Sequence, residues 1–287
     1  MMKNGLTISV IFEAQSANYG EGIGNISSLK QLTRGDGNTY TYISRQALRY
    51  SIINQLAWDN TPVKAEGGGD KKVVQFAPDA SIKDYPEIDL FGYMKTTKGN
   101  NASTRNAVAR LSHAISLESY KGDTDFLNNM GQSRRIGEDN ALAQSENHQS
   151  FYAYTLTIDL DRVGKDENGN IEISAAEKTK RVVSLLNTIK MLYRDIRGRR
   201  ENLSPVFVIG GLYDIKNPFF EGKLKLKNNQ LNIETLLQAI SLEGEVKANT
   251  EVGYLTGTFA NEQAIKDKLE PKMIGEFFDS LTKKISF

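Results

Sequence analysis

Phe151-Tyr152-Ala153-Tyr154-Thr155-Leu156-Thr157-Ile158-Asp159-Leu160 is the clearest β-strand in the chain. Tyr152, Tyr154, Leu156, Ile158 and Leu160 fall on one face and Phe151, Ala153, Thr155 and Thr157 on the other, because successive side chains of a strand alternate. Upstream, residues 108–117 read as a further strand. Leu6, Ile8, Val10 and Phe12 alternate with Thr7, Ser9 and Glu13 in a half-buried strand near the N-terminus. Between these two, residues 43–58 read as a helix. Leu48, Ile52 and Leu56 recur every four positions, and Ser44 suits the N-cap, although Ala47 stands where a capping box needs Glu or Gln. Downstream, Ser174 and Glu177 form a capping box ahead of Val182, Leu185, Leu186, Ile189, Leu192, Tyr193 and Ile196, with Gly198 placed as the C′ stop. Residues 206–212 form a short, nearly continuous apolar strand. The order is therefore β-α-β-β-α-β, an α+β fold of ferredoxin-like or RRM-like type. Residues 261–287 read as a helical tail whose Ile274, Phe277, Phe278 and Leu281 pack back.

Long polar stretches interrupt this frame. Residues 14–41 read as a Gly-rich loop. Residues 59–88 hold Gly67-Gly68-Gly69, a flexible tip, and read as a projecting insertion. In residues 118–150 the apolar Phe126, Leu127, Met130, Ile136 and Leu142 are scattered without a period.

Thirty-six Lys and Arg against 35 Asp and Glu give a net charge of +1 over 287 residues. That balance excludes a broadly basic nucleic-acid binder and leaves room only for a local patch. No apolar run reaches the roughly 20 residues of a membrane span, and the alternating N-terminus does not read as a signal peptide. With no cysteine there is no disulfide and no thiolate chemistry. These features fit a cytoplasmic protein.

The first turn of the helix at 43–58 concentrates groups that suit a phosphate: Ser44, Arg45, Gln46 and Arg49. Arg45 and Arg49 are four apart and share a face. A helix N-terminus adds unpaired N–H groups and partial positive charge. Arg134-Arg135 and Arg197-Gly198-Arg199-Arg200 read as solvated basic runs. His113, inside the strand at 108–117, reads as a structural core-edge residue, and His148 as an exposed loop residue. Two separated histidines without cysteine do not make a zinc site. Gly20-x-Gly22-x-Gly24 lacks the strand, helix and third glycine of a dinucleotide site. Asp36 belongs to a Gly-Asp-Gly-Asn turn. Asp159 and Asp161 share one side of a strand end and read as solvated.

Three motifs in order resemble the backbone subunit of type I CRISPR interference complexes (Cascade), in particular its DevR-like, type I-B branch of the RAMP superfamily. The first is the strand Leu6 to Phe12 followed by Ile43-Ser44-Arg45-Gln46-Ala47-Leu48-Arg49. The second is Asp89-Leu90-Phe91-Gly92-Tyr93-Met94. The third is Ser112-His113-Ala114-Ile115-Ser116-Leu117, then Asp125-Phe126 and Phe151-Tyr152-Ala153-Tyr154. The resemblance implies an RRM-like palm (1–58, 89–117 and 151–287) with a finger insertion at 59–88 and a thumb insertion at 118–150. It implies a non-catalytic protein whose partners are a guide RNA (crRNA), target DNA paired with the guide, further copies of itself arranged head to tail, and other Cascade subunits. It implies no cofactor and no metal. Guide-phosphate contacts would fall on Ser44, Gln46 and Arg49, with Arg45 beside them. Met94 would pack beside the RNA–target duplex, and Phe126, Met130, Arg134 and Arg135 would act from the thumb. An alternative is the metal-dependent RNA-cleaving backbone subunit of type III complexes, whose aspartate after the first strand would be Asp36.

Overall fold

A computed structural model describes residues 3–15, 17–20, 22, 24–66, 72–96, 102–140 and 142–287. The Gly67-Gly68-Gly69 tip lies outside them. Its first strand, β1 (Gly5–Ala14), is buried at every position except Glu13. It is followed by β2 (Thr39–Ile43), α1 (Arg45–Leu56) and α2 (Pro86–Phe91). Next come β3 (Ala109–Leu111), β4 (Ala114–Ser116), β5 (Thr124–Asn128), α3 (Met130–Ile136), β6 (Leu142–Glu146) and β7 (Ser150–Asp159). After α4 (Ala175–Lys190) a hairpin of β8 (Tyr193–Ile196) and β9 (Arg199–Asn202) leads to β10 (Phe207–Tyr213). The C-terminal part holds α5 (Ile233–Ile240), α6 (Gly244–Asn249), β11 (Thr250–Tyr254), α7 (Glu262–Leu269) and α8 (Ile274–Lys283).

The chain is mixed α+β with antiparallel pairing in its main sheet. Among the described residues that sheet has eight strands, ordered β11-β10-β1-β7-β4-β2 and then Gln31–Thr33, with β3 also on β7. β1 pairs with β7 from Gly5↔Asp159 to Ala14↔Ser150, and on its other side with β10. This register puts Leu6, Ile8, Val10, Phe12, Tyr152, Tyr154, Leu156 and Ile158 on one face, where Leu48 and Ile52 of α1, Leu185 and Leu186 of α4, and Phe277 and Phe278 of α8 pack on them.

The opposite face is also covered. Ile11, Phe207, Ile209, Tyr213 and Tyr254 meet a second core that includes Phe220, Leu236 of α5 and Ile265 of α7. β1 is thus buried on both sides, where alternation predicts a half-buried strand. Ser9 and Thr155 point into the second layer, and their hydroxyls satisfy one another at 2.6 Å, which removes the cost of burying each alone.

α2 is locked down by a charge cluster. Asp89 is fully buried. Its carboxylate accepts from Arg105 Nη2 at 2.8 Å, Arg181 Nη1 at 2.9 Å and the Gly164 N–H at 2.9 Å. Arg181 also donates to the carbonyls of Ile82 and Lys83. The cluster joins α2, α4 and the turn after β7. Gly92 ends α2 at φ 74°, and a Cβ there would stand 2.4 Å from the Arg105 carbonyl oxygen, so no other residue fits without moving the backbone.

Several expectations need correction. Residues 14–41 are not one loop, since Ile26–Ser27, Gln31–Thr33 and Thr39–Ile43 pair as strands. The strand at 108–117 breaks at Ser112-His113, where the Ser112 hydroxyl accepts the Thr155 N–H and interrupts the ladder. The second helix stops at Lys190, not Ile196, and Gly198 instead turns the β8–β9 hairpin. At its start Ser174 Oγ does accept the Glu177 N–H, but the Glu177 carboxylate turns to Arg181. Residues 118–150 contain β5, α3 and β6. The tail is two helices, α7 and α8, and Phe277, Phe278 and Leu281 are buried as expected. His148 is buried, not exposed: Nδ1 shares a 2.7 Å hydrogen bond with Thr41 Oγ1, and the ring packs against Tyr120 and Tyr152. Asp159 is buried and ion-paired, not solvated, while Asp161 pairs with Lys216.

Candidate nucleic-acid interface

α1 starts where the sequence places it. Ser44 is extended, and its Oγ accepts the Ala47 N–H at 3.2 Å. Two neighbouring N–H groups are also taken up: Ser44 N–H by Asn18 Oδ1 at 3.2 Å, and Arg45 N–H by His113 Nδ1 at 3.0 Å. An acceptor at Nδ1 needs an unprotonated nitrogen there. Burial, and then the cationic Arg45 and Lys30, hold the His113 pKa below the usual histidine range, so the acceptor persists at neutral pH. Ser44 is buried, so its hydroxyl shapes the end of the helix.

Leu48, Ile52 and Ile53 anchor the inner side of α1. Arg45, Gln46 and Arg49 turn outward to line a groove of about 410 Å³ with Phe91, Ala107, Ala109, Arg110 and Leu111. Arg49 is held at two points. Its Nη2 lies 2.9 Å from Glu87 Oε1, and its guanidinium carbon is 5.1 Å from the Phe91 ring centroid. Arg110 is held by Asp159 in a bidentate pair of 3.0 and 2.9 Å. That pairing raises the Arg110 pKa. For Asp159, burial pushes the pKa up, but Arg110, with Lys216 and Arg162, brings it below the ordinary value. The groove therefore carries three guanidinium groups on an apolar floor. Phe91 and Arg49 also border a second hollow of about 420 Å³ that contains Val73, Val74 and the exposed Met94. Arg45, Gln46 and Arg49 thus border a hollow that adjoins the one holding Met94, far away in sequence.

The remaining predicted residues stand apart. Phe126, Met130, Arg134 and Arg135 are exposed on the β5-α3-β6 excursion, and none lines the α1 groove. α3 buries no residue. β6 holds the excursion to the body by a short parallel pairing, Gln144↔Ile26 and Ser145↔Ser27. Sequence reasoning missed Phe91, Glu87 and Arg110 as parts of the site. Arg110 alone left a signal, as a charge inside an apolar strand.

Asp36 caps its own turn. It accepts the Asn38 N–H at 3.0 Å and the Tyr40 hydroxyl at 2.6 Å. The Tyr40 bond is the main reason its pKa lies below the ordinary aspartate value. Among the described residues no three His, Asp or Glu side chains gather as a metal site would require.

The family model described as CRISPR-associated negative auto-regulator DevR/Csa2 matches residues 6–227. Two solved structures share the fold along nearly the whole chain. A chain of a "CRISPR RNA-guided surveillance complex, pre-nicking" is 12% identical, with a TM-score of 0.65 over 97% of this chain and 99% of that one. A chain of a "CRISPR RNA-guided surveillance complex" is 14% identical, with a TM-score of 0.59 over 97% and 98%. At these identities the likeness is one of fold. No curated protein sequence matches significantly.

Proposed function

The chain belongs to the CRISPR-associated DevR/Csa2 family, and on that premise we propose that it is a non-catalytic, guide-RNA-binding backbone subunit of a type I (Cascade) interference complex. In this reading several copies line up head to tail along the guide and present it for pairing with target DNA, beside other subunits of the complex in the cytoplasm. Among the described residues no helix is long and apolar enough to cross a membrane.

The observation that carries the reading is the groove where Arg45, Arg49 and Arg110 meet at the start of α1. Arginine forks bind phosphate without reading sequence, and the exposed Met94 beside them offers an apolar contact for bases. A framework that must accept any guide needs this combination. Sheet order supports an RRM-like palm. Numbered 1 to 4 in chain order, β1, β4, β7 and β10 run 4-1-3-2 across the sheet, the order of a ferredoxin-like unit. The described parts of residues 59–88 and 118–150, which would be finger and thumb, carry exposed apolar side chains: Val63, Val73 and Val74 in one, Phe126 and Leu127 in the other, while Ala80, Ile82 and Ile88 of the first are buried. The cleaving alternative has no comparable support, because both Asp36 oxygens already serve its turn.

Arg49→Ala tests the reading. It should weaken binding to unrelated RNA sequences about equally and lower the slope of log affinity against log salt by roughly 0.7, the single-strand value per phosphate contact. An unchanged slope in a folded variant would refute it.

A further inference from the structure

Tyr19 and Arg197 form a stack on the opposite flank of α1 that the groove described above does not use. The guanidinium carbon of Arg197 lies 3.9 Å from the Tyr19 ring centroid. Both partners are fixed. The Tyr19 hydroxyl donates to the Glu146 carbonyl at 3.0 Å, and its backbone bridges to Leu29. Arg197 and Gly198 turn the β8–β9 hairpin with φ of 47° and 76°, a pair of left-handed residues as in a type I′ turn.

The other arginines of this hairpin are neutralised locally. Arg200 forms a two-point pair with Asp195, at 2.8 and 3.0 Å. Arg194 and Arg199 both pair with Glu201. Arg197 is exposed, and among the described residues it has no carboxylate partner. Stacking occupies the face of its guanidinium and leaves the N–H edge, the part that grips a phosphate in bidentate fashion.

The surroundings suit a single strand. Tyr19 borders a groove of about 370 Å³ with Asn18, Asn54, Gln55 and Tyr193, and with Tyr50, which is 71% exposed. Bases stack on such rings without sequence preference. The position is also connected at both ends. Asn18 holds the Ser44 N–H at the start of α1, and Glu146 closes β6 of the excursion.

We propose that the Arg197–Tyr19 stack is a second phosphodiester-binding site for a single nucleic-acid strand, bridging the α1 groove and the β5-α3-β6 excursion. It rests on the reading that those two regions act on one strand.

The test uses the full chain and a fluorescein-labelled, mixed-sequence single-stranded RNA, alone or annealed to complementary DNA. Arg197→Asn is the informative variant, because asparagine tolerates the left-handed turn and the hairpin is kept. It should weaken binding by about tenfold and lower the salt slope by roughly 0.7. Arg197→Lys should keep the slope, since the charge remains, while losing affinity with the planar fork. A loss seen with RNA alone assigns the phosphate to the guide, and a loss seen only with the hybrid assigns it to the DNA strand. A folded Arg197→Asn protein with unchanged affinity and slope on both probes overturns the site. Arg49→Ala, measured alongside, separates the two ideas. A lowered slope there with none in Arg197→Asn removes this site and leaves the α1 reading standing.

Discussion

The α1 groove and the β5-α3-β6 excursion carry side chains of similar kind, arginines beside apolar groups, on very different supports. Arg49 is fixed by Glu87 and Phe91 of α2, and α2 is fixed in turn by the buried Asp89 cluster. Arg134 and Arg135 sit on a helix that buries nothing, between two strands that leave Phe126, Leu127 and Leu142 open to water. The first surface would meet the proposed strand with its geometry already set. The second leaves apolar area uncovered, and a partner's bases or apolar side chains would cover it. Order before binding lowers the entropy lost on binding, so under the proposed function one region would hold and the other would adapt.

Asp89→Asn should break the comparison most sharply. It leaves the buried Arg105 without its countercharge and Arg181 with only Glu177, a change worth about 3–5 kcal/mol. A urea titration should show that loss, and RNA binding by whatever folded protein remains should weaken, because α2 no longer holds Arg49. Stability within about 1 kcal/mol of the parent would mean that the cluster does not support the groove.

A matched pair of truncations sharpens the contrast. Leu48→Ala, beneath the groove, should cost about 2–5 kcal/mol through lost burial and a cavity. Leu127→Ala, on the excursion, should stay within about 0.5 kcal/mol. Equal losses would show that the excursion has a core of its own.

The smallest effect is one of pH, at the joint where the excursion rejoins the sheet. Burial lowers the His148 pKa below its ordinary value, against the opposing pull of Glu118 and Asp123. The folded chain thus resists a proton that the unfolded chain accepts near pH 6.5. The stability contribution is complete above that pH and is lost as pH falls toward the folded value. The urea midpoint should therefore drop between pH 7 and 5. His148→Asn should remove more of that drop than His113→Asn, since His113 is the less buried of the two and its shift also comes from Arg45 and Lys30. The reverse order would contradict the burial argument.

The sheet strands and the two long helices are legible in the sequence because their signals are local. Strict alternation marks β7, a four-residue stripe and a capping serine mark α1, and the Ser174 cap marks the start of α4. The end of α4 misleads because Leu192, Tyr193 and Ile196 continue a helical spacing, while the paired hairpin β8–β9 competes for the same residues. His148 misleads because its hydrogen-bond partner, Thr41, is supplied by a strand that the sequence gives no reason to bring beside it. The second core leaves no sequence signal, since its contributors between Phe219 and Leu269 lie in short elements with no long period. At the site, the basic first turn of α1 can be read directly. Its floor and clamps, Phe91, Glu87, Arg110 and Asp159, come together only in the fold.

Double-sided burial of β1 has a consequence for how such a chain can change over generations. A strand with one wet face can exchange half its side chains at little cost, but here alternate positions enter separate cores and both are closed to substitution. Tolerance is displaced to the rim, to the hairpin tips, the helix start and the excursions that bear the proposed contacts. The places where new binding properties can be tried are then the places where a failed trial does least harm to folding.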